Sequence, residues 1–250
     1  TAGTWNGRHS RTRNPRRSMN PMKATFLYGA GDVRVESAPD PTILEPTDAI
    51  VRVVRACVCG SDLHPYHSQP AGEQGIRMGH ELIGVVEETG REVRSVRKGD
   101  FVIAPFAFQD NTCVYCREGL QTSCLHGGWY GTPEVPGLQA EYARIPLADG
   151  SLVTVPDVDP DAVPESLLRS LLTLSDVYLT GYHAAHAGLV TSGSTVTVIG
   201  DGAVGLSAVL AASQLGAERI ILMGRHDSRL ALGRAWGATD LVRERGAEGI

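Results

Sequence analysis

From Met22 to about residue 160, apolar and polar positions alternate in short runs, the period of half-buried strands. KATFLY, VRVES, AIVRVVRACV, LIGVVEETG and DFVIAP are rich in Val and Ile and are punctuated by Gly and Pro. This texture predicts an all-β, barrel-like body. From about Pro164 the period changes: SLLRSLLTLSDVYLTGYHAAHAGL repeats apolar residues at helical spacing. STVTVIG and ERIILMG then read as buried strands, and AVGLSAVLAASQLGA and DSRLALGRAWGA as helices. This β-α-β-α order predicts the start of a doubly wound parallel sheet, so the fold class is α/β with a β-rich part. Asp240–Val242 is expected to open a third strand. A full sheet of this kind has about six strands, so the second domain is expected to be C-terminally incomplete.

Composition narrows the partners. The chain has 250 residues, 42% hydrophobic and 20% charged, with a formal net charge of -5. That balance favours neither nucleic acid nor a membrane surface as the main partner. Residues 1–21 contain Arg8, Arg11, Arg13, Arg16 and Arg17 and no acid, which leaves 18 basic against 28 acidic residues in the remainder. They read as a disordered basic leader; a transit peptide is also Arg-rich, but Asn14, Pro15, Asn20 and Pro21 interrupt any amphipathic helix. No run approaches the ~20 apolar residues of a membrane span. Five cysteines, an odd number that includes a C-x-C and a C-x-x-C, suit a reduced, metal-binding, cytoplasmic protein better than a disulfide framework.

Three constellations carry chemistry. Gly200-Asp201-Gly202-Ala203-Val204-Gly205 is G-x-G-x-x-G between a predicted strand and helix. Gly200 permits a tight turn, Gly202 lets a pyrophosphate approach the backbone, and Gly205 lets helix and strand pack closely. A dinucleotide site of the NAD type has an acid at the end of the second strand to hold the ribose hydroxyls. Met223-Gly224-Arg225-His226 stands there instead, and an Arg fork suits a 2′-phosphate. NADP(H) is therefore favoured over NAD(H), with Asp227 reaching the ribose as the alternative. Cys59-Gly60-Ser61-Asp62-Leu63-His64 and Gly79-His80-Glu81 supply a thiol and an imidazole, good zinc donors. Cys113, Cys116 and Cys124 form a third group, which is an oxidation liability without a metal.

C-G-S-D-L-H, G-H-E-x-x-G-x-V, the later cysteine cluster, T-G-Y-H-A and G-x-G-x-x-G occur in the order seen in zinc-containing medium-chain dehydrogenases/reductases, and the chain resembles that family over about 22–245. The resemblance implies a GroES-like, zinc-binding catalytic domain over 22–170 and an incomplete Rossmann domain over 171–250. It implies Cys59 and His80 as ligands of a catalytic zinc, Glu81 as a carboxylate able to exchange onto the metal, and Asp62 as the acid orienting His80. The third ligand position, four residues before Thr180-Gly181, falls on Asp176, which could equally cap a helix. Asp110, three residues before Cys113, stands where a first structural-zinc cysteine is usual, giving an Asp110/Cys113/Cys116/Cys124 site. Ser61 and His64 are implied as a proton relay, and Thr180 as a contact to nicotinamide.

The expected activity is zinc-dependent hydride transfer between a small-molecule alcohol/carbonyl pair and NAD(P), in a protein that is a homo-oligomer at full length. A polyol, sugar or amino-alcohol substrate, or a catalytically inactive zinc-binding fragment, are the alternatives. Cys57 reads as a buried strand residue and Trp129 and Tyr130 as packing. His67, His126, His183 and His186 have no evident partner in the sequence.

Overall fold

The computed structural model describes residues 21–244 and 246–249. The expected basic leader lies outside them apart from Pro21. β1 (Met22–Gly29) and β2 (Asp32–Ala38) form a hairpin, followed by β3 (Ala49–Ala56). A 3-10 turn, Gly60–Asp62, leads into α1 (Leu63–Ser68), β4 (Ile76–Arg77) and β5 (Leu82–Thr89). β6 (Phe101–Ala104) and β7 (Ala107–Phe108) precede a lobe containing α2 (Val114–Arg117) and β8 (Gly128–Trp129). β9 (Tyr142–Ile145), α3 (Ala148–Ser151), β10 (Val153–Thr154) and α4 (Glu165–Thr173) follow. The remainder runs α5 (Val177–Ala187), β11 (Thr195–Ile199), α6 (Ala203–Gln214), β12 (Arg219–Met223), α7 (Asp227–Ala235) and β13 (Asp240–Val242).

The main sheet is antiparallel, in the order β10-β6-β5-β3-β9. A smaller sheet, β2-β1-β4, joins it through a bridge between Ala24 and Ala140. With the two-stranded β7-β8 ladder, the described residues of this part form sheets of five, three and two strands, in keeping with the expected β-rich body. Alternation along the strands gives the main sheet two buried faces. Val51, Leu82, Val86, Val102 and Ala104 share one core with Leu138 and Ile145. Ile83, Phe101 and Ile103 point the other way, and Leu168 and Leu172 of α4 cover them. These leucines are four residues apart and so lie on one helical face. Burying each contributes about 1.5–3 kcal/mol. A Cβ on Gly84 would strike the Arg52 carbonyl and the Val51 side chain, so this motif glycine is required by strand packing.

The long helical pattern after Pro164 is two helices rather than one. The chain breaks at Ser175, whose carbonyl accepts the Phe106 N–H at 3.0 Å. Asp176 then adopts φ -152° and stands at the start of α5. Beyond it, β11, β12 and β13 form a parallel sheet in that order. Val198, Ile220 and Leu222 pack on Leu206, Val209 and Leu230 of α6 and α7. A Cβ on Gly181 would lie 2.5 Å from the Ala208 nitrogen, so this glycine lets α5 and α6 approach closely. Among the described residues no helix is long and apolar enough to cross a membrane.

Candidate functional site

The first cluster forms where three loops converge. Cys59 begins the 3-10 turn after β3, and its N–H donates to Asp62 Oδ2 at 2.9 Å. His80 and Glu81 immediately precede β5, and Asp176 precedes α5. One donor atom from each of Cys59, His80, Glu81 and Asp176 lies within 4.8 Å of all the others. Cys59 Sγ is 3.7 Å from Asp176 Oδ2. His80 Nε2 is 3.4 Å from Asp176 Oδ2 and 3.9 Å from Glu81 Oε1. The edge of a tetrahedral zinc site is about 3.3–3.8 Å, so these donors stand at coordinating separations.

The surroundings argue the same way. Glu81 is 1% exposed, and its Oε1 has no hydrogen-bond partner among the described residues. A buried carboxylate oxygen without a hydrogen-bond partner, 3.9 Å from His80 Nε2, fits a cation. A thiol, an imidazole and two carboxylates are a donor set that zinc accepts. Asp62, also buried, places Oδ1 3.5 Å from His80 Nδ1 and turns Nε2 toward the cluster. With protons alone to balance the charge, hydrogen bonds that the His80 ring donates to Asp176 and Asp62 push its pKa up to about 11. Burial raises Glu81. Burial would also raise Asp176, but the His80 and Thr180 hydrogen bonds outweigh it and hold this carboxyl low.

Ser61 Oγ lies 3.3 Å from His80 Nε2. Thr180 Oγ1 donates to Asp176 Oδ1 at 2.6 Å, so its hydroxyl is held by the cluster. His64 is exposed on α1, outside the cleft lining. Cys57 departs from the sequence reading. It lies just beyond β3, half-buried, with its thiol against Glu81 Oε2. No local signal identifies it, because the contact joins positions 24 apart.

The second cluster occupies the lobe between β7 and β8. Asp110, Cys113, Cys116 and Cys124 offer donor atoms mutually within 4.8 Å, with Cys113 and Cys124 sulfurs 3.9 Å apart. Asp110 Oδ1 accepts the Thr112 and Cys113 N–H groups at 2.8 and 3.0 Å. Its Oδ2 is 2.5 Å from His126 Nδ1, which gives His126 a partner that the sequence did not reveal. His126 and these N–H donors hold Asp110 far below the usual carboxylate range. Backbone donors from Leu125 and Cys116 lower Cys113 to about 7, while burial raises Cys116.

A cleft of about 1000 Å³ joins the first cluster to the glycine loop. Cys59, Ser61, Asp176 and Thr180 line one end, and Gly200, Gly202, Ala203, Val204 and Gly205 the other. Gly200 has φ +113°, a conformation that favours glycine, and Gly202 caps α6. Gly224 and Arg225 do not line this cleft. They stand at the end of β12, where the Arg225 N–H donates to Asp201 Oδ2 at 2.9 Å. Asp201 is a buried acid inside the glycine loop.

Residues 45–157 match the alcohol dehydrogenase GroES-like domain. A medium-chain reductase/dehydrogenase, ucsI, of Acremonium sp is 36% identical over 236 residues, covering 92% of this chain and 78% of the relative. Zinc-type alcohol dehydrogenase B of Aspergillus flavus is 35% identical over 92% of this chain and 54% of its own length. The solved structure of alcohol dehydrogenase TADH from Thermus sp. ATN1 superposes with a TM-score of 0.79 at 34% identity, over 89% of this chain and 63% of that one. The chain therefore belongs to the medium-chain reductase/dehydrogenase family, and it resembles zinc-type alcohol dehydrogenases across both its β-rich and its parallel-sheet parts.

Proposed function

We propose that the protein is a zinc-dependent oxidoreductase that passes a hydride between an alcohol/carbonyl pair and NADP(H). The observation that carries this reading is that Cys59 and Asp176 of the four-residue cluster line the same cleft as the glycine loop. Cys59, His80 and Asp176 would hold zinc, with Glu81 able to exchange onto it. When bound, zinc supplies Lewis acidity that lowers the pKa of an alcohol or polarises a carbonyl. Asp62 fixes the His80 ring so that Nε2 faces the cluster, a role that tunes ligand basicity. Ser61 Oγ would take the alcohol proton at the mouth of the cluster, and His64, exposed on α1, would release it to water.

The glycine loop would receive the pyrophosphate on the N–H groups opening α6, and Thr180 would adjoin the nicotinamide. Positions 223–226, at the end of β12, include no acid and include Arg225, which supports NADP(H) over NAD(H). Asp110, Cys113, Cys116 and Cys124 would hold a second, structural zinc. We place the division between the two domains near residue 170 and the protein in the reducing cytoplasm, supported by five free cysteines. The complete enzyme is read as a homo-oligomer acting on a small alcohol or carbonyl compound.

The test is zinc-loaded protein assayed for NADPH formation against a panel of primary and secondary alcohols, with Cys59→Ala beside it. Alcohol-dependent NADPH formation lost in Cys59→Ala is expected. Equal rates in the two proteins would remove the cluster from the reaction.

A further inference from the structure

The glycine loop holds a carboxylate that the proposed hydride transfer does not use. Asp201 is 7% exposed. Its Oδ2 accepts the backbone N–H groups of Arg225 and His226 at 2.9 and 2.7 Å. The His226 ring nitrogen Nδ1 lies 3.1 and 3.0 Å from its two oxygens. Burial would raise its pKa, but the His226 and Arg225 donors outweigh burial and hold it at about 2, so it is ionised at working pH. One side chain thereby clamps the loop after β11 to the loop after β12.

The same carboxylate fills the space beside Gly224. A Cβ on Gly224 would lie 2.6 Å from Asp201 Cβ and 2.8 Å from both Cγ and Oδ2. An acidic side chain there would meet both a steric overlap and a like charge. Arg225, one residue on, is exposed, and its guanidinium has no partner among the described residues.

We propose that Asp201 sets the choice of nucleotide: it bars an acid from position 224, and it fixes the 224–226 backbone so that the Arg225 and His226 side chains meet the 2′-phosphate of NADP(H). The inference rests on the dinucleotide reading of this cleft and deepens it. Asp201 is a positioning residue and touches no reacting atom.

The experiment is a fluorescence titration of NADPH and of NADH, with melting curves, on the parent, Arg225→Ala, Gly224→Asp and Asp201→Ala/Gly224→Asp. The parent is expected to prefer NADPH by about ten-fold or more, and Arg225→Ala to lose about ten-fold for NADPH with little change for NADH. Gly224→Asp alone should melt several degrees lower, roughly the cost of overpacking. The double variant should regain most of that loss and prefer NADH. A Gly224→Asp chain with parental melting and parental preference would overturn the proposal. So would a double variant that regains stability yet still prefers NADPH. A parent that binds both dinucleotides equally would overturn it while leaving the dinucleotide reading intact. A parent that binds neither would overturn both.

Discussion

Asp62→Ala separates two jobs that one carboxylate performs. Oδ2 accepts the Cys59 N–H at 2.9 Å, and Oδ1 faces His80 Nδ1 at 3.5 Å. Removing the side chain leaves the Cys59 N–H without its acceptor in a part-buried turn, which costs about 1–2 kcal/mol, the lower part of the range for orphaned donors. It also frees the His80 ring to turn its Nε2 away from Asp176. Losing a partner that orients a ligand imidazole lowers metal affinity by about 10–100-fold, or roughly 1.4–2.7 kcal/mol. Asp62→Asn separates the two effects. The amide oxygen still accepts the Cys59 N–H, but its NH2 group meets His80 Nδ1, which must itself donate when Nε2 binds a metal. Asp62→Asn should therefore recover most of the lost stability and little of the lost zinc affinity. The assay is competition for zinc with a chromophoric chelator, beside urea denaturation. Parental zinc affinity in Asp62→Ala, or recovery of both properties in Asp62→Asn, would refute the reasoning.

Leu168→Ala should destabilise the fold by about 2–5 kcal/mol, because it empties a buried position over Ile83, Phe101 and Ile103; urea unfolding checks this, and a change below about 1 kcal/mol would show that α4 is not seated there. Asp201 gives a pH dependence of defined sign. Its folded pKa is depressed from 3.8 to about 2, so its stabilisation is complete above 3.8 and fades as pH falls toward 2. Asp201→Asn should flatten that part of the acid limb in melting curves taken across this window. Chelation at neutral pH should lower the melting temperature of the parent more than that of Cys113→Ala, since a zinc held by the folded lobe stabilises it by mass action.

Much of the architecture is legible in residue order because local pattern and tertiary fate agree. The alternation through Leu82, Ile83, Val85 and Val86 puts residues on both faces of the sheet, and both faces are buried. The glycine loop is equally direct at two positions: Gly200 has φ +113°, and a Cβ on Gly205 would strike the Gly200 carbonyl. The break at Ser175–Asp176 is not legible, since the apolar period continues across it. A hydrogen bond from Phe106, far earlier in the chain, interrupts the helix and puts Asp176 beside His80. The contacts of Cys57, His126 and Asp201 are not legible for a related reason. Their partners, Glu81, Asp110 and the 225–226 backbone, are 16 to 25 residues away, beyond any spacing rule. Arg225 reads from sequence as a nucleotide contact, whereas the hydrogen bond from its backbone N–H to Asp201 has no local signature.

Metal content decides whether the two donor clusters hold zinc. Elemental analysis of purified, folded protein never exposed to chelator should find about two zinc ions per chain, one closed site and one with an open position. Cys59→Ala and Cys113→Ala should each lose about one of them. Folded protein without zinc, or a Cys59→Ala variant that keeps its full complement, would contradict the account.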